Sequence, residues 1–434
     1  MASFIMLGRL TFHHEKISSS LVEITITIPA EITKNLQTKT VQSLKTKIKP
    51  QGLENYNISA DFILEKYNAT ILRTIERFLL KHVVTSALAH ELRSKKIIMV
   101  HHPRLVECTE LADHSIAYKF RISTLEIPLV NEWRKLPFKS PKRKLYKDLD
   151  KQVETFCDRE GGLFDDTKRE IIEDGDWLEL ESVMLDEKHV PIIDGLTRRY
   201  WFKFSTKYVT DSFKQNFIGK SVGDSFVTAD FHTNEESSES LSEQSPHRIT
   251  ILSNAKGNHF SVDLFKFVFN LKSKIEIHKK LIEVFSFRND ISQRKSIIEE
   301  VFTLLLSKQR FEIPQHLTLR KQEDLLMSLR QFPDYHVYKA QKNFSKQLEK
   351  LAEKQLKEEA LIDAISFKDG IAINRDDIKG YLHLFNHDRL REFVYFKPDL
   401  DNFDELDAPI PEAILYEAVL REKTLNNIIY QLSR

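Results

Sequence analysis

The chain has 434 residues with 41% hydrophobic and 30% charged side chains, enough for roughly two to four domains and a sizeable core. Lys and Arg number 65 against 64 Asp and Glu, so no global basic excess points to nucleic acid or an anionic membrane. Only 11 glycines occur, and neither G-x-G-x-x-G nor G-x-x-x-x-G-K-[ST] is present, which leaves glycine-rich phosphate chemistry without support.

Met1 to Leu10 carries one short apolar run broken by Arg9. It lacks a basic n-region, a full apolar h-region and a cleavage site, so no secretory leader is expected. Val22, Ile24, Ile26 and Ile28 alternate with Glu23, Thr25 and Thr27, the period-2 pattern of a half-buried strand over 21–28. Pro29-Ala30-Glu31 then opens a helix to about Lys47, with Pro at a tolerated first-turn position. After a loop over 50–59, Phe62, Ile63, Tyr67, Ile71, Ile75, Phe78 and Leu79 mark a helix over 60–92. A second alternating strand is expected over 116–127. Residues 1–127 thus read as an α/β domain.

Residues 128–164 read as a linker. Pro128, Pro137 and Pro141 suggest an extended chain, and the run Arg134 to Lys147 holds seven Lys or Arg and no acid among fourteen residues. A solvated connector is the plain reading, and an RNA-binding footprint is the alternative. Residues 165–255 hold short strands over 177–183, 200–204, 225–231 and 249–252, with turns at Asp174-Gly175-Asp176 and Val222-Gly223-Asp224. Within them, 232–247 is a polar insert rich in Ser and Glu. This part reads as a small antiparallel β domain.

Residues 256–434 read as helical. Ile297, Ile298, Val301, Leu304 and Leu305 form one stripe. A long helix is expected over 337–366, where Phe344, Leu348, Leu351 and Leu356 are interrupted by many Lys and Glu. That stripe is too thin for a fully packed helix, so antiparallel arms with a semi-exposed face are expected. A last helix opens at Pro411-Glu412 and carries Ile414, Leu415, Val419, Leu420 and Ile428. The expected class is α+β multidomain, ending in an elongated helical body with arms.

No apolar stretch approaches the roughly 20 residues of a membrane span. Two cysteines, Cys108 and Cys157, are too few for a disulfide framework or a Cys-rich zinc module, so a reducing, cytoplasmic setting is expected. His383 and His387 have helical i, i+4 spacing, but no third ligand accompanies them and no metal site is expected.

Three features in this order carry a resemblance: V-x-I-x-I-x-I-P-A-E at 22–31, the D-G-D strand start with F-x(5)-G-x-x-x-G-D at 213–224, and a glycine-poor helical tail. The chain resembles the trigger factor family of ribosome-associated chaperones over nearly its whole length. The resemblance implies a ribosome-docking domain over 1–127, a prolyl isomerase domain like the FK506-binding proteins over 165–255, and a helical chaperone body with two arms over 256–434. Nascent or unfolded polypeptides and the large ribosomal subunit near the exit tunnel are the implied partners. No cofactor, membrane or DNA partner is implied.

The departures from the family carry information. Its docking loop reads G-F-R-x-G-x-x-P, and the matching residues here are Gly52, Leu53, Glu54, Asn55, Tyr56, Asn57, Ile58 and Ser59. Glu54 at the arginine position repels phosphate where a cation would bind it, which leaves Lys45, Lys47 and Lys49 as other cations. In the isomerase domain the resemblance places pocket aromatics at Phe202 and Phe213. Val209 and Thr210 fall at the position that supplies an apolar contact and a backbone N–H. Glu181-Ser182-Val183 replaces the usual Y/F-T-G, and the 232–247 insert replaces the Tyr-bearing flap. Isomerisation without a nucleophile needs an apolar pocket that strips water from the prolyl amide, so weak or vestigial activity is expected. The alternative is that these rings are domain core. A chain that is primarily a prolyl isomerase and an RNA-binding protein using 134–147 are the rival functions.

Overall fold

The computed structural model describes residues 8–47, 58–127, 132–142, 147–160, 172–204, 211–231, 245–257, 260–309, 311–398 and 409–434. Among them it shows a mixture of antiparallel sheets and many helices.

The first sheet has four strands: β1 (Thr11–Ser18), β2 (Leu21–Ile28), β3 (Arg104–Glu110) and β4 (Ile116–Ser123), in the order β1-β2-β4-β3 and antiparallel throughout. Ile24, Ile26 and Ile28 lie opposite Phe120, Tyr118 and Ile116 and face a helical layer. That layer is α1 (Ala30–Lys47), α2 (Ala60–Leu79) and α3 (Thr85–Ser94), with a π-helical turn, Leu80–Val84, between the last two. Leu36, Ile63, Ile71, Ile75 and Phe78 fill the space between sheet and helices. On the outer face Glu23 is paired by Lys119 and Arg121, each at 2.7 Å. β1 and β3 escape the sequence pattern because they are edges. β1 reads Phe12-His13-His14-Glu15-Lys16, and β3 is almost wholly exposed, so neither needs strict apolar alternation.

The stretch that reads as an open connector is partly packed. Trp133 is buried in the C-terminal helical core with Val301, Phe302 and Leu305, and Arg134 pairs with Asp369 at 2.8 Å. Residues 149–160 form a helix, α4 (Leu149–Glu160), whose Leu149 and Val153 sit at i, i+4 spacing and are buried beside Leu281. Proline and lysine counts describe composition, whereas one tryptophan is enough to fix a segment by burial.

The second sheet contains β5 (Trp177–Met184), β6 (Arg198–Lys203), β7 (Ser225–Thr228) and β8 (His247–Ala255), with a short helix α5 (Asp211–Gln215) before β7. Its order is β7-β8-β5-β6, all antiparallel.

The rest is helical: α6 (Val262–Phe269), α7 (Lys274–Phe285), a two-residue ribbon of β9 (Phe287–Arg288) and β10 (Ile291–Ser292), then α8 (Gln293–Lys308), α9 (Gln315–Arg330), α10 (Tyr335–Lys339), α11 (Phe344–Asp369) and α12 (Arg375–Asn386). Caps set most starts. Ser261, Ser273 and Ser292 accept from the backbone N–H three residues on, and Asn374 with Asp377 makes a full capping box. The second sheet is then completed from far along the chain. β11 (Ile410–Pro411), just before α13 (Glu412–Leu432), pairs antiparallel with β6 through Ile410–Trp201 and Pro411–Tyr200. No helix among the described residues is long and apolar enough to cross a membrane.

Candidate functional site

The residues expected to form a prolyl pocket sit inside a cluster of rings. Phe202, on β6, lies opposite Leu178 of β5, and Phe213 is on α5. Their ring centroids are 5.4 Å apart in an edge-on arrangement. Phe217 approaches Phe213 to 5.1 Å, Phe231 approaches it to 6.1 Å, and Leu180, Ile249 and Ile251 close the cluster. Phe202 is 1% exposed and Phe213 5%. The rings occupy one another's faces, which is core packing. Val209 and Thr210 lie outside the described residues, as does 232–244 of the insert. Of Glu181-Ser182-Val183, the Ser182 hydroxyl is 2.8 Å from His247 Nδ1, a buried link between β5 and β8.

Gly52, Leu53, Glu54, Asn55 and Tyr56 lie outside the described residues. At their C-terminal flank Ser59 has a structural duty: its Oγ accepts from Phe62 N at 3.2 Å and starts α2. A proline, as the family has there, could not supply that cap. Lys45 is exposed near the end of α1.

A third region stands out in the structure alone. α9 and the first half of α11 run antiparallel as an arm, closed by α10. At its base Leu317 is buried with Val100 and Leu356, and His101 Nε2 lies 3.0 Å from Asp324. The arm is therefore fixed to the segment that leads into β3. There too Lys321 meets Glu359 at 3.0 Å, and further along Gln322 donates to the Ser345 carbonyl at 3.3 Å. Beyond that the packing thins out. Met327, Phe332, Val337 and Tyr338 are 58%, 61%, 67% and 47% exposed. The expected long helix over 337–366 begins instead at Phe344, with α10 separate, and its C-terminal half is buried through Ala360, Leu361, Ile362 and Ile365. The tip residues carry no period that marks them in sequence. Phe332-Pro333-Asp334 is the available signal: a large ring beside a helix-breaking proline.

The paired imidazoles are core residues. His383 Nε2 accepts from Ser261 N at 3.1 Å, its ring stacks on Phe260, and His387 lies 5.1 Å away. Burial, aided by His387, pushes the His383 pKa down to about 3. Among the described residues no group of three or more His, Cys, Asp or Glu could hold a metal. In the basic run, Arg134 and Lys135 are paired with Asp369 and Glu132, and 143–146 lie outside the described residues.

No protein-family profile matches the sequence, and no curated protein matches it. Among solved structures, one of the trigger factor chaperone, described by its promiscuous substrate recognition in folding and assembly, aligns with 97% of this chain and 100% of its own. The identity is 17% and the TM-score 0.37, a likeness too distant to say what the chain does.

Proposed function

We propose that the chain is a nucleotide-independent chaperone that holds newly made or unfolded polypeptides on its helical arm. The observation that carries this reading is the arm tip, where Met327, Phe332, Val337 and Tyr338 crowd exposed apolar surface into 327–338. Single exposed hydrophobes are ordinary, whereas a cluster marks an interaction surface. Burying one such side chain against a client stabilises the contact by about 1.5–3 kcal/mol. A few contacts of that size hold a chain reversibly without an energy source.

The test is suppression of aggregation by the full chain at near-stoichiometric ratio without ATP. Phe332→Ser with Val337→Ser should lose most of the protection while changing stability by no more than a surface substitution does, about 0.5 kcal/mol each. Equal protection by that variant would remove the arm tip from the function. Association with the ribosome belongs to the same proposal and rests on the resemblance of 52–59. Glu54→Arg should strengthen cosedimentation at low salt, with the gain fading as salt rises. Prolyl isomerisation is proposed only as a residual activity, since Phe202 and Phe213 are closed off by their neighbours.

A further inference from the structure

We infer that the arm tip selects its clients by charge, gripping apolar segments flanked by Asp or Glu and rejecting those flanked by Lys or Arg. This rests on the arm being the holding surface and adds to it the chemistry of what is held.

Residues 327–350 contain five cations, Arg330, Lys339, Lys342, Lys346 and Lys350, against two carboxylates, Asp334 and Glu349. That local excess of three exceeds the +1 of the whole chain. All seven side chains are exposed. The excess is not neutralised within the arm. The arm's paired carboxylates lie towards its base, where Asp324 meets His101, Glu359 meets Lys321, Glu353 meets Lys357 and Glu358 meets Lys354. None of the five tip cations makes an ion pair among the described residues. Lys339 instead lies over the Tyr335 ring at 5.8 Å. Lys346 and Lys350 stand four apart on α11, so they share one face and repel each other.

A bound segment that brings a carboxylate beside this surface relieves that repulsion, and one that brings a cation adds to it. At 4 Å in water a single charge pair is worth about 1 kcal/mol, and several act together here. The preference should also appear in association rate, since complementary fields steer encounter. The apolar side chains then supply the grip, and the cations decide which apolar segments receive it.

The test uses the full chain and three labelled peptides that share one Leu-Phe-Val core, with flanks of Asp and Glu, of Ser and Gly, or of Lys and Arg. Fluorescence anisotropy at low salt should rank them acidic, neutral, basic, with roughly tenfold between the extremes. That ranking should collapse near 1 M salt, where the screening length is about 3 Å. Lys342→Glu with Lys346→Glu should reverse the order. Equal affinities at low salt, or a preference for basic flanks, would overturn the inference while leaving the holding role intact. Phe332→Ser with Val337→Ser should weaken all three peptides alike. If it weakens none, the holding surface itself lies elsewhere.

Discussion

Arg375 reaches from α12 to β5 of the second sheet and donates from Nη2 to Glu179 Oε1 at 3.2 Å. The glutamate side chain is 3% exposed and the arginine 44%. Burial raises the Glu179 carboxyl above its ordinary range, and Arg375 opposes that rise. The half-exposed guanidinium is what keeps a charge tolerable inside the sheet.

Arg375→Ala should therefore cost about 1–3 kcal/mol, because it strands a buried acceptor. In a Glu179→Gln background the same arginine change should cost much less, since no buried charge is left. Urea unfolding of the four proteins gives the coupling. An arginine cost that is the same with Glu179 and with Gln would mean that the pair carries no stability.

Phe213→Ala opens a cavity among Phe202, Phe217 and Phe231, and should cost about 3–5 kcal/mol. The wild-type full chain should turn over a prolyl peptide weakly or not at all in a protease-coupled assay. The full chain is needed because β6 takes its outer partner from β11. Turnover matching intact FK506-binding domains would show that the ring cluster opens in solution.

His383 gives a pH signature. Its folded pKa is lowered to about 3 from 6.5, so below about 6.5 the unfolded chain binds a proton that the folded chain refuses. The stability tied to the neutral ring is fully present above that value and is lost as pH falls towards 3, by up to about 1.4 kcal/mol per pH unit. His82, lowered by burial and by Arg198, works in the same direction. Glu179, Glu358 and Glu422, all raised by burial, work against it. His383→Gln keeps an acceptor for Ser261 N and removes only the His383 share. Its stability deficit should shrink between about pH 7 and 5. A deficit that stays constant over that range would contradict a buried neutral ring.

Gly257→Ala should destabilise through backbone contact. A Cβ at 257 would overlap the Gly175 carbonyl, and Gly257 N donates to Asp176 Oδ1 at 3.1 Å. Gly175 itself has φ of 87° in its turn, so neither strand of the contact yields easily. An overpacking cost of about 1–3 kcal/mol is expected as a lower thermal midpoint. An unchanged midpoint would mean that the two turns are farther apart than this.

β2 was legible because both its neighbours and the helical layer demand apolar residues at alternate positions, and Val22 to Ile28 supplies them. The caps at Ser273 and Asn374 emerge only in the structure, where a short side chain meets a backbone N–H three residues on. β11 was not, because two residues have no period and their partner strand is remote in sequence. Trp133 was hidden by its cationic neighbours. The ring cluster shows the limit for site residues: the Phe202 and Phe213 rings lie 5.4 Å apart, and adjacency does not distinguish an open pocket from a filled one. The arm tip left little trace because exposure depends on what fails to pack there.

The pairing of Ile410 with Trp201 also sets an order of events during synthesis. A growing chain displays the outer edge of β6 while α6 to α12 are still being translated, and an unpaired edge invites association with other strands. The second sheet cannot be finished until residue 411 has been added, and such a long-range closure is slow. A product cut short anywhere before 410 would keep that edge open permanently, so truncated copies should be the ones that clump or are destroyed.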